Sequence, residues 1–467
     1  MNKPNTRAWW CSVLFACASV HAQSVDADLV KRGEYLAIAG DCLACHSNTK
    51  QGGLPYAGGY AVASPIGKIY ATNITPSKQY GIGNYSLEQF SNAVRLGIRA
   101  DGSHLYPAMP YTAYAKINDD DIKAMYAYFM HGVQPVDTAA TAQTQLGFPT
   151  NIRRSMAVWN GLYFDHTPFT PQTDKSSVWN RGAYLVQGLA HCSTCHTPRN
   201  ALMAEDTDQM LAGAALGAWY APNITSDKVA GIGKWSAEEL YAYLKTGHAQ
   251  GKAQAAGPMA EAVENSFQHM SDGDIKAMVA YLQDVPATNN TSTGKARHEQ
   301  GQAFNVDLQL RGADAQTSVD SVATGAALFS GYCASCHQAN GSGSADQAYP
   351  SLYHNTVTGA DRPNNLIATI LFGVERTVAG KEVRMPHFGK GSYVGELSDD
   401  EVAKIANFVF EKYGNPQLAV SAQDVALMRV GGEKPLLAKL QPFALPALVA
   451  LAMLLLLYVT RRRRPKR

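Results

Sequence analysis

Cys-x-x-Cys-His occurs three times in this chain, as Cys42-Leu43-Ala44-Cys45-His46, Cys192-Ser193-Thr194-Cys195-His196 and Cys333-Ala334-Ser335-Cys336-His337. Two thiols three positions apart, followed by an imidazole, suit one chemistry above others. Each thiol forms a thioether to a haem vinyl group, and the histidine lies under the iron as its proximal ligand. This predicts three covalently bound c-type haems, attached through Cys42, Cys45, Cys192, Cys195, Cys333 and Cys336, with His46, His196 and His337 on the irons. Of the eight cysteines, Cys11 and Cys17 fall in an N-terminal segment and the motifs use the other six, so none is left for a disulfide. A zinc ribbon needs its Cys pairs to meet in twos, whereas three pairs stand about 150 residues apart, each followed by His. A thioredoxin-type pair wants a strand-helix surround that the flanks lack.

An electron-transfer haem needs a ligand on its other face, and methionine there raises the reduction potential relative to a second histidine. Met109, in Tyr106-Pro107-Ala108-Met109-Pro110, and Met259, in Gly257-Pro258-Met259, each lie 63 residues after their proximal histidine. Met385, in Arg384-Met385-Pro386, lies 48 residues after His337 and precedes the closing helix of a shorter unit. The plainer alternative for any methionine is a flexible core filler, and Met270 is read that way. His104, His248 and His387 would serve a bis-histidine scheme, but none keeps the 150-residue offset. With both faces taken, the irons have no open position, which favours electron transfer over the peroxide chemistry of a multihaem peroxidase.

The elements that position these residues repeat. An offset of 150 takes Cys42 to Cys192, Asn73-Ile74-Thr75 to Asn223-Ile224-Thr225, Gly81-Ile82-Gly83 to Gly231-Ile232-Gly233 and Ser86 to Ser236. The first two units are therefore copies of one design, and the third shares its beginning, its motif and its end. Capping-box patterns at Ser86 with Gln89, Ser236 with Glu239 and Ser398 with Glu401 predict helix starts. Each unit closes on a helical apolar stripe: Ile122, Met125, Tyr126, Phe129; Ile275, Met278, Val279, Leu282; Val402, Ile405, Ala406, Val409. Gly33, Gly182 and Gly325 mark opening helices that another helix can approach closely. The predicted fold class is all-α, with domains at 23–134, 175–285 and 318–415 joined by linkers at 135–174, 286–317 and 416–441. Within these, Val133 to Gly147 and Asp284 to Gly294 are Pro-bearing or polar connectors.

Both ends read as membrane signals. Lys3 and Arg7, the apolar run Ala8 to Val20 and the small-residue site at Val20-His21-Ala22 predict a cleaved export signal over 1–22. A lipid-attachment site at Leu14-Phe15-Ala16-Cys17 is the weaker alternative. Pro442 to Thr460 is a run of 19 uncharged residues, about 28 Å as a helix, followed by a basic tail over 461–467. The tail belongs on the cytoplasmic side, which puts the preceding units on the periplasmic face of the inner membrane. The formal charge of +2, less the +8 of the two ends, leaves −6 for residues 23–441. That excludes a basic nucleic-acid surface and suits a protein partner.

The chain resembles the triheme cytochrome c subunit of bacterial membrane-bound dehydrogenases, those acting on gluconate, other sugar acids and polyols, or alcohols. The resemblance is densest in Gly58-Gly59-Tyr60, Pro65-Ile66-Gly67-Lys68-Ile69-Tyr70-Ala71-Thr72-Asn73-Ile74-Thr75-Pro76 and Leu105-Tyr106-Pro107-Ala108-Met109-Pro110-Tyr111. Val158-Trp159-Asn160-Gly161-Leu162 and Gly257-Pro258-Met259-Ala260-Glu261 match as well. It implies three cytochrome c domains in series, with axial pairs His46/Met109, His196/Met259 and His337/Met385. It also implies a dehydrogenase partner carrying a flavin or quinone cofactor, and ubiquinone or a terminal oxidase as acceptor. A free-standing or oxidase-linked carrier is the alternative. By chain order the third domain stands beside the anchor and is the expected exit for electrons.

Overall fold

The computed structural model describes residues 26–49, 52–139, 142–291, 293–310 and 324–462. The predicted export signal and residues 463–467 of the basic tail lie outside the described residues.

Each unit is built on one helix crossing. The opening helices, Ala27–Ala39, Ser177–Tyr184 and Gly325–Tyr332, lie against the closing helices Asp119–Ala127, Asp272–Leu282 and Asp399–Tyr413. Most of the predicted stripes is buried: Ile122, Met125 and, just past the helix, Phe129, with Tyr126 half-buried; then Ile275, Met278, Val279 and Leu282; then Val402, Ile405, Ala406 and Val409. The three capping boxes form, each serine accepting from the third backbone N–H on while Gln89, Glu239 or Glu401 accepts from the serine N–H. A Cβ on Gly33 would sit 1.9 Å from the Ala124 carbonyl oxygen, on Gly182 1.9 Å from that of Ala277, and on Gly325 2.4 Å from that of Lys404. The helices thus touch backbone to backbone, which no larger residue permits. Gly182→Ala is expected to cost about 3 kcal/mol in denaturant unfolding, against no loss for Gly294→Ala, where nothing lies within 4 Å.

The all-helical expectation needs amendment. Among the described residues there are four two-stranded antiparallel sheets. The longest pairs Val374–Val378 with Lys381–Met385 across Ala379-Gly380, both at positive φ, the geometry of a tight hairpin turn. The sequence reading gave neither strand nor turn here, and alanine seldom marks a turn. The predicted connectors also do more than tether. Val136 accepts from Asn73 Nδ2 at 2.9 Å and donates its N–H to Thr75 Oγ1 at 3.1 Å, strapping that loop in place. The stretch predicted as linker over 135–174 contains the helix Ser155–Tyr163, and the one over 416–441 contains Ala422–Arg429.

Units one and two share one continuous apolar core, running from Leu36 and Ile122 through Leu185 and Leu189 to Ile275 and Met278. Unit three has its own core around Phe329, Ile367, Phe408 and Phe410. The joint between the first two is reciprocal. Tyr35 of unit one donates to Asp274 of unit two at 2.7 Å, and Tyr184 of unit two donates to Asp121 of unit one at 2.6 Å. Each aspartate is also held by its own unit's opening helix, Asp121 by Arg32 and Asp274 by both Nε and Nη2 of Arg181. The duplication therefore packs as a pseudo-twofold pair. Burial tends to raise the Asp274 pKa, but the Arg181 and Tyr35 donors outweigh it and hold the carboxyl below its ordinary value. A depressed carboxyl pKa contributes stability that is present above the unfolded value of about 3.9 and is lost as pH falls through the lower folded value. Thermal unfolding of the intact protein is expected to show this loss below about pH 4. Asp274→Asn should flatten that acid slope, and an unchanged slope would count against the clasp.

The C-terminal helix runs Leu436–Arg462, with Pro442 and Pro446 inside it. It starts six residues before the predicted Pro442. Over Leu436–Tyr458 its mean hydropathy is 2.2 and none of its most apolar window is buried, so it is not a core helix. Its base reaches past unit three: Gln441 Nε2 donates to Gly147 O at 3.0 Å and Thr150 Oγ1 at 2.7 Å, beside unit one. A Cβ on Gly432 would lie 2.1 Å from Gly217 O in the unit-two hairpin turn. The approach to this helix is therefore bordered by units one and two as well as by unit three, its neighbour in chain order.

Candidate haem-attachment sites

The three motifs sit on short helical turns, Cys42–His46, Ser193–His196 and Ala334–His337. A helical turn places residues i and i+3 on one face, so both thiols of a motif point the same way. All six motif cysteines are free of disulfides and half-buried. Burial pushes the Cys42, Cys45, Cys192 and Cys333 thiols up to about 12. Among the described residues no group of three His, Cys, Asp or Glu side chains is placed to hold a metal ion.

Each motif histidine is oriented in the same way. His46 Nδ1 lies 2.7 Å from Thr72 O, His196 Nδ1 2.6 Å from Pro222 O, and His337 Nδ1 2.9 Å from Pro350 O. A carbonyl oxygen only accepts, so Nδ1 carries the proton and Nε2 keeps its lone pair. Burial lowers the pKa of all three and takes His196 down to about 4, so the rings are neutral. Neutral imidazole with a free Nε2 is the form that ligates iron.

The carbonyls that aim these rings are set by residues the sequence showed only as a repeat. Asn73 Oδ1 accepts from Thr75 N at 2.8 Å and Thr75 Oγ1 at 2.7 Å, folding the loop so that the preceding Thr72 carbonyl faces His46. Asn223 does the same with Thr225 at 2.9 and 2.7 Å, and the preceding carbonyl is that of Pro222. The identity of Asn-Ile-Thr at the 150-residue offset was the signal; its role needed the loop.

The three candidate distal methionines are half-buried against the core of their own unit, in three different local settings. Met109 is in a turn, its N–H donating to Tyr106 O at 3.1 Å. Met259 is in the first turn of the helix Gly257–Asn265, behind Pro258. Met385 ends the strand Lys381–Met385, opposite Val374. Met270 is 1% exposed within the core of units one and two. Of the bis-histidine alternatives, His248 and His104 each leave Nδ1 buried without a partner. The first two motifs approach one another, Cys45 and Cys195 being close enough to interact electrostatically.

Paired thiols on one helical face, a neutral imidazole with Nε2 free, and the buried, unpartnered indole N–H of Trp235 fit a covalently attached haem with its carboxylates. The cytochrome c family profile matches residues 30–132, 180–286 and 322–411. The chain is 49% identical over 427 residues to the fructose dehydrogenase cytochrome subunit of Gluconobacter japonicus, covering 91% of this chain and 86% of the relative. It is 41% identical over 416 residues to the gluconate 2-dehydrogenase cytochrome c subunit of Pantoea cypripedii, covering 86% and 89%. Identity to the cytochrome c subunit of the quinone-type alcohol dehydrogenase of Gluconobacter oxydans is 39% over 428 residues, covering 89% and 85%. Three cytochrome c domains, the kind that carries covalent c-type haem, thus account for most of the chain, which belongs to the cytochrome c family beside these dehydrogenase cytochrome subunits.

Proposed function

We propose that this chain is the electron-transfer subunit of a membrane dehydrogenase complex and carries three c-type haems. The thioether positions are Cys42/Cys45, Cys192/Cys195 and Cys333/Cys336, and the axial pairs are His46/Met109, His196/Met259 and His337/Met385. The proposed domain limits are 23–134, 175–285 and 318–415. The observation that carries the reading is the threefold Nδ1-to-carbonyl contact, which presents Nε2 identically in each unit. Haem supplies one-electron relay; the chain fixes the ring planes, excludes water from the thioether side and sets the spacing between units. The shared core and the nearness of Cys45 to Cys195 support electron exchange between units one and two.

The donor is a catalytic subunit bearing flavin or a quinone cofactor and oxidising an alcohol group of a sugar, sugar acid, polyol or alcohol, as the names of the relatives suggest. The acceptor is ubiquinone or a terminal oxidase. The helix Leu436–Arg462 anchors the chain in the inner membrane with the units on the periplasmic side, in keeping with its bare apolar surface. Co-expression with the dehydrogenase encoded beside this chain tests the reading. Substrate should then reduce the haems of the purified complex and, through them, a ubiquinone analogue. Copurification without substrate-driven haem reduction would favour the free-standing carrier.

A further inference from the structure

Gly97 and Gly247 hold the same place in units one and two, at φ 65 and 72, yet different groups press on them. In unit one a Cβ there would meet the Tyr111 ring of the same unit at 2.7 Å; in unit two it would lie 2.6 Å from Nε of Arg376, which comes from the unit-three hairpin. Arg376 is 1% exposed. Its Nη1 donates to Ala255 O at 2.6 Å and its Nη2 to Gln254 Oε1 at 2.8 Å, while Nε has no acceptor. Among the carboxylates, Glu264 attracts it electrostatically, after the Tyr243 phenol. An interior cation hydrogen-bonded only to neutral groups is costly, and an anion is what offsets that cost.

Other donors stand around the same spot. Trp235 Nε1 is buried without an acceptor, and its ring meets Tyr243 edge-on at 5.7 Å. Tyr243 lies one helical turn before Gly247, and burial pushes its phenol up to about 12 against the opposing pull of Arg376 and Arg297. Arg297, from the segment after unit two, donates at 3.3 Å to Asn223 O and also lies near His196. The acid beside it, Asp361, is 3.2 Å from Arg362. Two guanidiniums and an indole N–H therefore gather around Tyr243 in the unit that carries His196 and Met259.

We propose that Arg376, Arg297 and Trp235 form the carboxylate cradle of the haem attached at Cys192 and Cys195, so that unit three supplies part of the cofactor site of unit two. This rests on the three-haem reading. A haem brings two propionate carboxylates, and two guanidiniums match them in charge and in fork geometry. Arg376 is a positioning residue with a redox consequence. A fixed cation near the iron disfavours the ferric state, which bears one more positive charge, and so raises the reduction potential of unit two. Unit one, with Tyr111 in the corresponding place, lacks that cation, so two copies of one design become two different redox sites.

Spectroelectrochemical titration of the purified, haem-loaded full chain tests this. Arg376→Gln should lower the reduction equilibrium of one haem by at least tenfold, about 59 mV for one electron. Arg376→Lys should lower it less, and Trp235→Phe should move the same component in the same direction. The component is assigned by Met259→His, which displaces the unit-two potential by changing its ligand. Three haems with all midpoints unmoved, or a shift in a component other than that of unit two, overturns the cradle. Failure of the underlying reading looks different: the wild-type chain would lack the mass of three haems. Should Arg376→Gln not accumulate in loaded form, Arg376→Lys and Trp235→Phe, which keeps an aromatic ring but loses the N–H, decide: both must move the unit-two component, and an unmoved midpoint in both overturns the cradle.

Discussion

Met259→Leu is expected to leave the fold intact and to open one iron face, so that the reduced protein binds one carbon monoxide per chain at neutral pH. Leucine matches methionine in volume, and such swaps cost under about 1.5 kcal/mol; what it lacks is a sulfur lone pair. The loss of the thioether should also lower the reduction equilibrium of that haem by tenfold or more, about 59 mV. Met270→Leu is the control, since Met270 is 1% exposed in the apolar core and its carbonyl serves Lys245. That variant should bind no carbon monoxide. The reverse pattern would transfer the ligand role to Met270. Binding by the unaltered protein would show an iron already open, the condition a multihaem peroxidase requires.

Ending the chain after Pro435 is expected to move it from the membrane to the soluble fraction with all three haems in place. The excised helix presents 23 apolar-rich residues from Leu436 to Tyr458, about 34 Å of helix against a hydrocarbon core of about 30 Å. It contributes little to the core of the units. Its contacts from Gln441 to Gly147 and Thr150 are surface hydrogen bonds worth about 1 kcal/mol each. Reduction of the haems by the partner dehydrogenase should survive the truncation, and delivery to membrane quinone should be lost. Retention of the truncated chain on the membrane would mean that the partner, not this helix, is the anchor. Leu454→Arg with Leu455→Arg, at about 2.5–3.5 kcal/mol each for insertion, should reproduce the release without shortening the chain.

Much of this was legible in the residues because covalent chemistry and periodicity are local. Cys-x-x-Cys-His needs only five consecutive residues, a capping box four, and an apolar stripe one helix, so motifs, caps and closing helices all appear where the sequence put them. The close-approach glycines were legible for a related reason, as a residue without Cβ inside a helix calls for a neighbour. The hairpin at Ala379-Gly380 escaped, since an αL alanine carries no compositional mark. The strap residues Val136 and Thr288 looked like linker because their partners, Asn73 and Asn223, lie more than sixty residues away.

The sequence by itself determined three attachment motifs, a duplicated first half, a membrane-length apolar end and the family to which all of this belongs. The tertiary structure decided how the units differ and how they meet. It fused units one and two through Tyr35, Asp274, Tyr184 and Asp121, brought the base of the C-terminal helix to unit one, and drove Arg376 of unit three into unit two. The physical reason is range. A thioether or a helix cap is satisfied by neighbours along the chain, whereas a buried charge is satisfied only by whatever packing sets beside it, and no spacing along the chain records that partner.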